Sequence, residues 1–161
     1  MRGVVVNSSP IIALCSIGKL GLLKDLYGII MIPQAVFSEV CTKSDSVAKN
    51  DLEMSLDWIN VVPIKSEMTK AFYKSQLHDG EVEVMILGKE MNAGLIIIDD
   101  KNAKKHAKYL GFNVAGTLGV LVAAKKAGLI PLVKPLIDKM VKEKIYLSDR
   151  VIELCLKQVG E

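Results

Sequence analysis

The chain has 161 residues, half of them apolar, which excludes a disordered chain, and its formal net charge of +3 is mildly basic and identifies no partner by itself. Aromatic residues make up only 5%, so the core has to be aliphatic. The charge is unevenly placed: residues 1–100 carry nine basic and thirteen acidic side chains, whereas residues 101–144 carry ten lysines against Asp138 and Glu143.

The first element is the apolar run Gly3–Val6, continuous rather than alternating, as in a strand buried on both faces. Asn7-Ser8-Ser9 follows it, and Ser9-Pro10 reads as the cap and first position of a helix. Leu20, Leu22, Leu23 and Leu26 repeat as one helical face. Ile29–Ile32 is a second strand, and Pro33 opens a helix with Val36, Phe37 and Val40 on one side. Val47–Asp57 reads as a further helix and Trp58–Val62 as a weaker strand.

Asp79-Gly80-Glu81 opens a longer helix that turns Val82, Met85 and Ile86 inward and Lys89 and Glu90 outward. Leu95–Ile98 is a strand that ends in Asp99-Asp100. Asn102–Tyr109 is an amphipathic helix with Ala103 and Ala107 inward, and Phe112–Ala115 is a weaker strand. Thr117 caps Leu118–Ala127, Pro131 starts Leu132–Val141, and Ser148 caps Asp149–Gln158. Strands alternating with helices predict an α/β domain spanning residues 1–161: a three-layer α/β/α fold with a parallel sheet flanked by helices.

Cys15, Cys41 and Cys155 show no C-x-x-C spacing, which reads as three reduced thiols rather than a disulfide scaffold or a zinc knuckle. No apolar run approaches the ~20 residues of a membrane span, and no signal-peptide pattern opens the chain. The expectation is a cytoplasmic protein with no membrane partner.

In an open parallel sheet, ligands bind beyond the carboxyl ends of the strands. The sequence delivers Asn7-Ser8-Ser9 and Asp99-Asp100 to such ends. It brings Glu39, Asp79 and Glu81 from helices that start nearby. Carboxylates gathered in one cleft repel unless a cation neutralises them, and an all-oxygen set selects Mg²⁺ or Mn²⁺. Each acid also has a local reading: Asp79 as a cap, Glu81 as a first-turn charge, Asp99 or Asp100 as the cap of the next helix, Glu39 as a solvated residue. Lys101, Lys104, Lys105 and Lys108 follow the acid doublet, and Lys125 and Lys126 end a later helix. They read either as a solvated face or as a rim that tracks nucleic-acid phosphates. His78 and His106 read as structural.

From VVVNSSPIIAL to KEKIYLSD the chain resembles a PIN domain, the nuclease fold of many VapC-type toxins. The segments IPQAVFSEV, LHDGEVEVMILG and IIIDDKNAKKHAKYLGFNVAGTLGVLVAAKKAGLI carry the likeness to a PIN-like subgroup with an Asn-Ser-Ser-Pro start. The resemblance implies about five parallel strands and RNA hydrolysis with Mg²⁺ or Mn²⁺. It places the metal and catalytic positions on Glu39, Glu81 and Asp100, with Asp99 sharing the metal. Asn7, Ser8, Ser9, Asp79 and Thr117 support them. Lys101, Lys104, Lys105, Lys125 and Lys126 would meet RNA. It also implies a cognate antitoxin protein and a homodimer. Asn7 stands where most such nucleases have Asp, and an amide oxygen brings no charge. A weakened or inactive scaffold that binds protein or nucleic acid is therefore the alternative.

Two rivals fail on motif. Gly111 to Thr117 has P-loop glycine spacing without the following lysine, and no G-x-G-x-x-G follows the first strand. A receiver-type phosphoacceptor would carry its acid pair where this chain has Asn7-Ser8.

Overall fold

The structure is a computed structural model that describes residues 2–43, 46–67, 69–70 and 77–161. Its strands are β1 (Val4–Val6), β2 (Ile30–Pro33), β3 (Ile59–Val62), β4 (Leu95–Ile97) and β5 (Val114–Ala115). Its helices are α1 (Ser8–Ser16), α2 (Gly21–Tyr27), α3 (Gln34–Lys43), α4 (Ser46–Met54), α5 (Asp79–Glu90), α6 (Lys101–Tyr109), α7 (Thr117–Lys126), α8 (Lys134–Lys142) and α9 (Asp149–Val159).

The five strands form one all-parallel sheet in the order β3-β2-β1-β4-β5, and helices cover it to complete three layers. β1 is central, and its three residues and the middle of β4 have almost no exposure. That explains their unbroken apolar runs: both faces of these strands are packed. The core is aliphatic as expected; the largest fully buried side chains are Ile, Leu and Met. Cys15 and Cys155 are buried free thiols and Cys41 is half-buried. Among the described residues, no helix is long and apolar enough to cross a membrane.

The chain moves outward from β1 to β2 and β3, then crosses back to β4 and β5 on the other side. The order therefore reverses between β1 and β4. A crevice opens at such a switch point beyond the carboxyl ends of the strands. Register fixes the alignment there: Val6 pairs with Ile97 and the Asn7 N–H donates to the Ile97 carbonyl at 2.9 Å.

Several helix starts differ from expectation. α1 begins at Ser8 with Asn7, in extended backbone, at its cap position, so Pro10 lies within the first turn, where a missing N–H costs nothing. α5 is preceded by His78, which leaves Asp79 as its first residue rather than its cap. Gly116, not Thr117, holds the cap position of α7. Pro135 rather than Pro131 sits in the first turn of α8. Ser148 does cap α9, accepting from the Val151 N–H at 3.2 Å.

Glu161 ties the last helix to its neighbours. Its carboxylate accepts from Lys125 Nζ at 2.8 Å and from the backbone N–H groups of Val133 and Lys134 at 2.8 and 2.9 Å. It thus caps α8 from a distance. The Lys125 ammonium and then the Val133 N–H pull its carboxyl down to about 2. A depressed carboxyl stabilises the fold above its unfolded pKa, and that contribution disappears as pH falls through the folded value. The Tm difference between wild type and Glu161→Gln is therefore expected to be full at pH 7 and to shrink toward zero between pH 4.5 and about 2; a difference that is flat over that range in thermal melts contradicts the clasp.

Candidate functional site

Asn7 leaves the end of β1 directly into α1 and is 4% exposed. Its side-chain Oδ1 is buried and, among the described residues, has no hydrogen-bond partner. An orphaned amide oxygen in a closed environment costs roughly 1–3 kcal/mol, so an unpaired Asn7 oxygen marks a place where an electron-pair acceptor fits. Ser8 beside it is buried and Ser9 is exposed.

Two helices converge on that oxygen. α3 follows β2 and carries the half-buried Glu39; α5 packs against α3, β1 and β2. Gly80, in the first turn of α5, lies between them. A Cβ placed on Gly80 would sit 2.8 Å from Glu39 Oε2 and 3.6 Å from Asn7 Oδ1. Those contacts place the Glu39 carboxylate and the Asn7 amide on the same side of the helix start, in space that only a glycine leaves open.

Glu81 is 8% exposed on the next position of α5. Its Oε1 accepts from the His78 N–H at 3.2 Å, which helps to close the first turn. Burial pushes the Glu81 carboxyl up from its ordinary value. The His78 N–H opposes that rise, and the negative charges of Asp100 and Glu39 add to it. Glu39, Glu81 and Asp100 therefore share one electrostatic environment. Asp79 is exposed on the first turn.

The acid doublet divides its work. Asp100 is exposed and caps α6, accepting from the Ala103 N–H at 2.8 Å. Asp99 is turned to the start of α7: Oδ1 accepts from the Thr117 N–H at 2.7 Å and Oδ2 from the Thr117 hydroxyl at 2.6 Å. Asp99 thus anchors Thr117, the residue that follows the Gly116 cap position.

Among the described residues, no three Asp, Glu, His or Cys side chains stand close enough together to hold one metal ion. Of the acids, Glu39 is the one that the Gly80 contacts bring beside the buried Asn7 oxygen. In donor type the set fits a hard divalent cation, because every group is an oxygen and the Asn7 oxygen lacks a partner.

The lysines separate too. Lys101, Lys105 and Lys108 are exposed on α6, whereas Lys104 is half-buried. Lys126 is exposed, but Lys125 is engaged in the clasp with Glu161 and also donates to the Val159 carbonyl at 3.0 Å. The expectation that Lys125 faces nucleic acid overlooked this partner, which is 36 residues away in sequence.

Glu83 is a residue that the sequence reading passed over. It is 6% exposed, accepts from the Ala35 N–H at 3.1 Å, and pairs with Lys70 Nζ at 2.7 Å. It supplies negative charge to the first turn of α3, four residues before Glu39. The available signal was its position: an acid inside the otherwise apolar run Val82–Leu87.

An all-parallel sheet in a three-layer fold, with Asn7, Asp99 and Asp100 beyond the carboxyl ends of its central strands, defines the class of open α/β domains that bind ligands at that edge. A PIN-domain family model matches residues 3–161, nearly the entire chain. The chain belongs to the PIN domain family. No protein of curated function matches it in sequence.

Proposed function

We propose that this protein is a metal-dependent endoribonuclease, acting as the toxin of a VapC-like toxin–antitoxin pair. The observation that carries the reading is the buried, unpartnered Asn7 oxygen beside Glu39 at the start of α5, with Glu81 and Asp100 in the same electrostatic environment. Glu39, Glu81 and Asp100 would hold Mg²⁺ or Mn²⁺, with Asn7 as a neutral ligand and the exposed Asp100 swinging in by side-chain rotation. Such a cation supplies charge neutralisation at a phosphodiester attacked by water.

The chain's own groups do the remaining work. Asp99 and Thr117 fix the junction between β4 and α7, and Ser8 and Ser9 place hydroxyls beside Asn7. Asp79 adds negative charge at the entrance. Lys101, Lys104, Lys105 and Lys126 offer cations to the RNA backbone, a contact that gives affinity without sequence choice. A cognate antitoxin would cover this cleft, and a second copy of the chain would form a homodimer.

The neutral residue at position 7 favours a second reading, a PIN-like scaffold that binds a partner without cutting RNA. One experiment separates the two. The nuclease reading expects single-stranded RNA to be cleaved with Mn²⁺ or Mg²⁺, and EDTA to abolish cleavage. Intact RNA under both metals, together with no Mn²⁺ binding by calorimetry, would leave the scaffold.

A further inference from the structure

Lys104 stands apart from the other lysines of α6. It lies one turn after Asp100, and its own N–H donates to the Asp100 carbonyl at 2.9 Å. Its side chain runs over the joint between β5 and α7. A Cβ on the buried Gly116 would stand 2.7 Å from Lys104 Nζ, 3.2 Å from its Cε and 2.9 Å from Asp99 Oδ1. The missing side chain at Gly116 is therefore what lets the ammonium settle there. The nearest acid, Asp99, turns both of its oxygens toward Thr117 and forms no ion pair with Lys104. Among the described residues, the Lys104 ammonium makes no hydrogen bond and no ion pair. Its donors therefore stay available to a strongly anionic ligand, with which an ammonium makes a charge-assisted hydrogen bond.

We propose that Lys104, seated by Gly116, contacts the backbone phosphate next to the one at the Asn7 cleft. The assignment rests on the ribonuclease reading and deepens it. Along the carboxyl edge of the sheet the order is Glu39 after β2, Asn7 after β1, Asp100 after β4, then Gly116 after β5, where the ammonium of Lys104 from α6 is seated. From the end of β1 to the end of β5 is two strand spacings, about 10 Å. That separation reaches past the phosphate at Asn7 to its neighbour. Lys104 thus fixes the side of the acid cleft on which the strand continues, a role that the freely solvated Lys101, Lys105 and Lys108 do not share.

The test measures binding of a short single-stranded RNA in EDTA across a salt series, and single-turnover cleavage with Mn²⁺. Lys104→Gln is expected to lower the slope of log K against log salt by about 0.7, the loss of one single-strand phosphate contact. It should also weaken binding about tenfold at low salt, with Lys104→Arg restoring most of it. Lys139→Gln, on α8, is the control and should match wild type. Gly116→Ala should reproduce the binding loss alone yet add less than about twofold on top of Lys104→Gln, because both changes remove one contact. Wild type that binds and cuts RNA while Lys104→Gln matches it in slope and affinity overturns the assignment alone. Wild type that neither binds nor cuts RNA overturns the ribonuclease reading and this assignment with it.

Discussion

Glu81→Gln is expected to lower metal-dependent RNA cleavage by about 10²-fold or more, the scale seen when one preorganised electrostatic group is removed from a reaction site. The substitution isolates charge from shape. Glutamine keeps the length of the side chain and its carbonyl can still accept from the His78 N–H, so the first turn of α5 stays closed. What disappears is one negative charge near Asp100 and Glu39. Without a metal, that charge is a burden: burial and like-charged neighbours push the Glu81 carboxyl up. A carboxyl raised on folding subtracts stability once the pH exceeds its unfolded value. Glu81→Gln should therefore melt at the same temperature as wild type or higher at pH 7, while losing activity. Loss of activity together with a lower Tm would point to a damaged helix start instead. Full activity would remove Glu81 from the chemistry.

The fold was legible because its strands are short apolar runs separated by helical periodicity, a pattern that a doubly covered parallel sheet imposes. GVVV and LIII could be placed to within a residue since both of their faces are packed. Helix starts were less legible. In this sheet the strands run straight into helices, so the cap position is set by where the backbone turns rather than by the best capping side chain. Gly116 holds that position with extended backbone, and the Thr117 hydroxyl, a better cap on chemistry alone, is drawn to Asp99.

The site was legible as a set of acids at strand ends, because chain order alone puts Asn7 and Asp99-Asp100 there. Which of them meet depends on strand order, and the central place of β1 is a long-range property that no local pattern encodes. The same reason hid Glu83 and misplaced Lys125. Glu83 finds Ala35 and Lys70 across 48 and 13 residues. Lys125 finds Glu161 only after α8 and α9 have folded back. Local periodicity shows where a charged side chain starts and is silent on the distant group that it reaches.

Asn7→Asp tests the most unusual feature of the cleft. A carboxylate at this position would lie in a site with 4% exposure, with no hydrogen-bond donor on Oδ1 among the described residues and with Glu39 close by. In the metal-free protein that charge is expected to cost on the order of 1–3 kcal/mol through burial and repulsion, seen as a lower Tm in EDTA. With Mn²⁺ the sign reverses. Two opposite charges at 4 Å interact by about 4 kcal/mol at an effective dielectric of 20, and part of the gain is spent on desolvation. Mn²⁺ affinity should therefore rise about tenfold to a hundredfold. The Tm rise on adding saturating Mn²⁺ should be larger in the variant than in wild type, as expected for a ligand that binds only the folded state. Calorimetry and melts read both halves. A variant that is less stable in EDTA but binds Mn²⁺ no better places position 7 outside the metal's reach. A variant with tighter Mn²⁺ binding and faster RNA cleavage makes the wild-type amide a brake on this cleft rather than its loss.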